Sequence, residues 1–181
     1  TGQYVLRNKT SARIDSIHLA MDEDLEIRRL VFDRTSKQVL VDRPRNWIIY
    51  RLDRPLAPGD SMIMRFVLGR IKHGFPNTIQ EVHVAGNGTF LENLSFMPEI
   101  GYDDRAEIQN EDARKKEHLP ARARMRPPTD KRTWSGNYIS RDADWLTYDA
   151  TVSTDLDQLA ITSGYLQREW TANGRRYFHY T

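Results

Sequence analysis

A chain of 181 residues with 39% hydrophobic and 29% charged residues and a mean hydropathy of −0.69 has apolar side chains enough for one core, and no run near the ~18 apolar residues of a membrane-crossing helix. It has no cysteine, which removes disulfides and thiolate metal sites, and a net charge of +2, too small for a strong field toward nucleic acid. It begins at Thr1 with no initiator Met and no secretory signal, and so reads as an excised piece of a longer protein.

Up to about Phe90 the apolar residues recur mostly at period two between short polar or Pro/Gly breaks, the pattern of strands. The first four are read at Tyr4 to Asn8, Arg13 to Met21, Leu25 to Phe32 and Val39 to Asp42. In the third, the apolar face passes from Leu25 and Ile27 to Leu30 and Phe32, which predicts a bulge near Arg28. Trp47 to Leu52 and Ser61 to Arg70 then read as a hairpin across Asp53 to Asp60, with Pro58-Gly59 at the centre of a type II turn. Met62, Met64, Phe66 and Leu68 share one face of the second strand while Ile63 and Val67 lie on the other, which favours two packed layers over one open sheet.

From Gly88 to Pro120 the pattern changes to strand, exposed turn and helix. Asp103 and Asp104 are placed to cap free N–H groups, with Glu107 as a capping-box partner, so a helix is predicted from near Arg105 to about His118, where Pro120 forbids more. Residues 119–142 form an Arg/Pro-rich connection with no period, expected to be pinned by Trp134 or Tyr138. Strands follow at Asp144 to Thr154 and around Leu159 and Ile161. Asn173-Gly174 is a type I′ signal that joins Tyr165–Ala172 to Arg175–Tyr180, placing Trp170 opposite Tyr177 and Arg168 opposite His179. The expected fold is mainly β, a single antiparallel two-layer domain over residues 1–181 with one short helix near 105–118.

The chemistry of an enzyme is sparse. The five histidines (His18, His73, His83, His118 and His179) are scattered, with no His-Glu-x-x-His. Gly86-Asn87-Gly88 lacks the rest of a phosphate loop, and no Gly-x-Ser-x-Gly elbow occurs. The acid pairs Glu23-Asp24, Asp103-Asp104 and Glu111-Asp112 read as turn and helix caps. Eight Lys or Arg between Arg114 and Arg132 form a basic run, but no aromatic residue interleaves it before Trp134 and acids lie just upstream, which disfavours nucleic-acid binding. Sequons at Asn8, Asn87 and Asn93 are short enough patterns to arise by chance.

Ser95-Phe-Met-Pro-Glu-Ile-Gly-Tyr102 with Arg114 and Leu119, then Trp145 to Tyr180, together resemble the N-terminal β domain of zinc aminopeptidases of the aminopeptidase N type. More closely, they resemble the aminopeptidase-like region of bacterial ATP-binding-cassette transporter permease proteins. Trp47 to Arg70, with Leu56-Ala-Pro-Gly-Asp60, is similar to a strand, Pro-Gly turn and strand of that domain. The resemblance implies a saddle-shaped, noncatalytic β domain of a membrane-associated parent, outside the bacterial cytoplasm, with no direct membrane insertion by this segment. A separate catalytic domain of the same parent chain would carry the zinc, the His-Glu-x-x-His and the Gly-x-Met-x-Asn loop, none of which is in this sequence. The implied partners are that catalytic domain and peptide. The implied docking and cleft surface is Phe96, Met97, Pro98, Glu99 and Tyr102, with no catalytic, metal or cofactor residue in this chain. Leu94-Ser95 stands before Phe96 where the classical members have Thr-Gln, so the substrate-facing Gln has no counterpart here. The other reading of the same residues is an independent β-sandwich binding or adhesion module.

Overall fold

The computed structural model describes residues 1–22, 24–71, 84–85, 88–92, 96–101, 107–122, 127, 129–131, 134 and 146–181. The chain divides into two compact units, Thr1–Leu119 and Pro120–Thr181. The division falls at the head of the Arg/Pro-rich connection.

In the first unit, β1 (Gly2–Arg7), β2 (Ile14–Ala20), β3 (Glu26–Phe32), β4 (Ser36–Asp42), β5 (Trp47–Leu56) and β6 (Ser61–Gly69) are followed by the two-residue strands β7 (Val84–Ala85), β8 (Gly88–Thr89) and β9 (Glu99–Ile100). All pairings are antiparallel: one sheet has the order β1-β6-β3, a second β4-β5-β2-β9, and β7 pairs with β8. The core is built from both main sheets. Ile17 and Leu19 of β2 and Ile48, Leu52 and Leu56 of β5 meet Met62, Met64 and Phe66 of β6. Each such side chain, taken from water, contributes roughly 1.5–3 kcal/mol, and the alternation along β6 is the one its sequence predicts. Among the described residues this is a mainly antiparallel, sandwich-like β fold with one short α-helix, at Glu111–Lys116.

The predicted hairpin is corrected. β5 pairs with β2 and β4, whereas β6 pairs with β1 and β3, so the segment between them crosses from one sheet to the other. The turn itself is as predicted: Gly59 has φ +83 and the Asp60 N–H donates to the Ala57 carbonyl at 3.0 Å. Both strands carry a buried face, and burying two such faces requires stacking them in two layers rather than pairing them edge to edge. The predicted bulge also occurs, as a register shift in β3 between Ile27 and Arg29.

Asn8 locks this crossing. Its amide nitrogen donates to the carbonyls of Ala12 (2.7 Å) and Leu56 (2.9 Å), and its oxygen accepts from the Thr10 N–H (2.9 Å) and hydroxyl (2.7 Å). Its own N–H donates to Asp60 O, and its carbonyl accepts from the Gly59 N–H. Only 1% of the residue is exposed.

The helix is shorter than predicted. α1 spans Glu111–Lys116 and is capped by Asn110, whose side chain accepts from the Ala113 N–H at 2.9 Å. Glu107 is spent outside the helix on Arg114 (3.4 Å), which also donates to Ile108 O (2.9 Å). The proposed caps Asp103 and Asp104 and the proposed start Arg105 lie outside the described residues. Residues 107–110 are not helical. His118, at φ +55, turns the chain away before Pro120.

The second unit holds β10 (Ala150–Thr154), β11 (Leu166–Ala172) and β12 (Arg175–Tyr180) in the order β10-β12-β11. Asn173 and Gly174 both have positive φ (50 and 71), as a type I′ turn requires. Trp170 stands opposite Tyr177 with the rings stacked at 5.2 Å, and Arg168 stands opposite His179. Two expectations fail here. Residues 146–149 precede the strand rather than belong to it, and Leu159 and Ile161 form no strand; Trp134 is 68% exposed with Lys131 over its ring at 5.7 Å, and Tyr138, the other residue expected to pin the connection, lies outside the described residues. In place of a strand, Ala160 is buried against Phe178 and Tyr180, and the Tyr180 hydroxyl donates to its carbonyl at 2.8 Å.

Candidate functional site

The segment expected to dock a partner is fastened into the first unit. β9 lies against β2, with Ile100 opposite Leu19 and Glu99 opposite Ala20, and the Gly101 N–H donates to His18 O at 3.0 Å. Pro98 is buried, and its carbonyl accepts from the Tyr4 hydroxyl at 3.2 Å. Burial first, and the Glu99 carboxylate second, push the Tyr4 phenol up from 10.0 to about 12. Phe96, Met97 and Glu99 are half-buried, Ile100 is exposed, and Tyr102 lies outside the described residues.

The described histidines do not converge. His18 meets Trp47 edge to face at 5.6 Å, and His179 sits 3.2 Å from Asp149. His73 and His83 lie outside the described residues. Among those described there is no group of three or more His, Cys, Asp or Glu side chains placed to hold a metal ion. Ser163-Gly164 has a backbone explanation: Gly164 has φ +90, and a Cβ there would lie 2.6 Å from the Thr181 carbonyl oxygen. A shallow groove of about 400 Å³ is lined by Asp33, Arg34, Thr35, Asp53, Arg54 and Ser61. Its Arg34 is already committed to the carbonyls of Pro55 (3.3 Å) and Ser61 (3.0 Å).

Two features escaped the sequence. The sequon Asn8-Lys9-Thr10 is a structural staple whose amide faces inward, and nothing in three letters distinguishes it from an acceptor. The second is a run of exposed apolar side chains in the second unit, Leu156, Leu159, Ile161 (88%), Tyr165 (82%) and Leu166. Alternation along Leu159 and Ile161 reads as burial, and only the packing of Ala160 between them reverses that.

No family model, no curated protein and no solved structure matches this chain. The framing of a membrane-protein fragment of the transporter-permease kind is corrected, because among the described residues no helix is long and apolar enough to cross a membrane.

Proposed function

We propose that this chain is a noncatalytic β domain of a larger aminopeptidase-like protein, docking the catalytic domain and forming part of a peptide cleft. The observation that supports this reading is the exposed run Leu156, Leu159, Ile161, Tyr165 and Leu166. Apolar side chains gathered on one short segment, rather than scattered singly, mark a surface that another protein covers. In the first unit, Phe96, Met97 and Glu99 keep part of their side chains accessible. The second reading, an independent binding module, draws on the first unit, which closes a core of its own around the fully buried Leu19 and Met64.

The test is turnover of chromogenic amino-acid amides with zinc added, by this chain alone and by the longer protein. Turnover by the longer protein only, reduced by Ile161→Asp or Tyr165→Ser with the unfolding midpoint unchanged, is the expected result. Chelator-sensitive turnover by the short chain overturns the reading, and silence in both favours the binding module.

A further inference from the structure

The turn that joins β11 to β12 carries an asparagine whose amide nothing holds. Asn173 and Gly174 are both exposed, with φ 50 and 71. Among the described residues neither the Asn173 side chain nor the Gly174 N–H makes a hydrogen bond. Glycine brings no side chain to crowd that nitrogen, and even a Cβ added at Gly174 would meet nothing within 4 Å.

The other described asparagines are each held, and each precedes a residue with a side chain. Asn8 is enclosed and hydrogen-bonded through both of its amide atoms. Asn110 spends its side-chain oxygen on the Ala113 N–H as the cap of α1. Asn46 shares the left-handed backbone, at φ 51, but its N–H donates to Arg43 O, its carbonyl accepts from the Met21 N–H, and Trp47 follows it. In the chain's other Asn-Gly pair, Asn87 lies outside the described residues.

We propose that Asn173 is a site of spontaneous covalent modification, at which asparagine becomes aspartate and isoaspartate with water as the co-reactant. The Gly174 amide nitrogen gives up its proton and attacks Asn173 Cγ. The new N–Cγ bond closes a succinimide ring, the Cγ–Nδ2 bond breaks, and the side-chain nitrogen leaves with that proton as ammonia. Water then opens the ring at either carbonyl. Opening at Cγ leaves aspartate, whereas opening at the main-chain carbonyl carbon leaves isoaspartate, whose chain runs on through Cβ and Cγ. Nothing is oxidised or reduced.

The two products differ in what they do to the hairpin. Aspartate keeps the turn, because Asp-Gly suits type I′ as Asn-Gly does. Isoaspartate adds a backbone atom to a two-residue loop whose length sets the register, and so loosens the facing of Trp170 and Tyr177, whose rings are stacked at 5.2 Å. Ring closure requires only that the turn open, at the end of the hairpin away from the buried Phe178 and Tyr180. The site stands apart from the exposed apolar run to which the docking role is assigned.

The test is to incubate the full chain in mildly alkaline buffer and map its peptides by mass against a sample taken at the start. Residues 169–175 are expected to gain the mass of an NH2-to-OH exchange at least about tenfold faster than the segments holding Asn8, Asn46 or Asn110. The isoaspartate form, separated by chromatography, is expected to lose the near-ultraviolet circular dichroism of the Trp170–Tyr177 pair. In Asn173→Gly, whose Gly-Gly turn also suits type I′, the gain is expected to vanish and the dichroism to hold through the same incubation. No gain in residues 169–175, a gain as fast at the other three asparagines, an isoaspartate form with unchanged dichroism, or equal loss of dichroism in Asn173→Gly each overturns the proposal.

Discussion

At the scale of single residues, Asn8 does the most. Four hydrogen bonds satisfy its side chain, and two of the groups it serves, the carbonyls of Ala12 and Leu56, belong to segments 44 residues apart in the chain. Asn8→Ala leaves buried acceptors unpaired and should cost about 2–3 kcal/mol, read as a lowered urea midpoint. Expression in a glycosylating host should add no glycan mass at Asn8 despite its sequon, because the amide is enclosed. Gly59 is different in kind, since nothing lies within 4 Å of a Cβ added there. Gly59→Ala should therefore cost only the left-handed backbone penalty of about 1–2 kcal/mol, measurable in the same unfolding experiment. Tyr4 sets an alkaline limit. Its folded phenol titrates near 12 against an ordinary 10.0, so its share of stability is whole below pH 10 and is lost as the pH rises through about 12. Tyr4→Phe should flatten that part of the stability profile, leaving a smaller slope from Tyr50, which burial also raises.

Among elements, the β11–β12 hairpin is the most local and the most legible. The Asn-Gly turn sets the register, and the register brings Trp170 onto Tyr177 with the ring planes 10° apart. A double-mutant cycle of Trp170→Ala and Tyr177→Ala should return a coupling of about 1 kcal/mol. A coupling near zero would mean that the rings sit together without attraction. α1 shows the opposite case. Its acidic start and basic end were visible in the sequence, but two acids and a Glu upstream looked like a better cap than the single Asn110. Arg114 decided the matter by drawing Glu107 and the Ile108 carbonyl to itself. That is a contact between side chain and preceding loop, and no capping rule contains it.

Across the whole molecule, the two units hold separate cores, one around Leu19, Leu56 and Met64 and one around Ala160, Phe178 and Tyr180. Unfolding should therefore show two transitions, the first unit losing Trp47 fluorescence apart from the Trp170 signal of the second; a single coincident transition would show the cores to be coupled. Leu19→Ala should lower only the first-unit transition, by about 2–5 kcal/mol. The sequence alone determined the six longer strands of the first unit in outline, the bulge beside Arg28, the type II and type I′ turns and the Trp170–Tyr177 register, because each depends on side-chain alternation or on backbone freedom within a few residues; it ended β5 at Leu52, four residues short. It did not show that β5 and β6 belong to different sheets, that β9 closes on β2, or that Leu159 and Ile161 face outward. It left open whether the amide of Asn8 is surface or staple. The tertiary structure decided these, because strand partners are chosen by which faces can be buried together, and that depends on segments far apart in the chain.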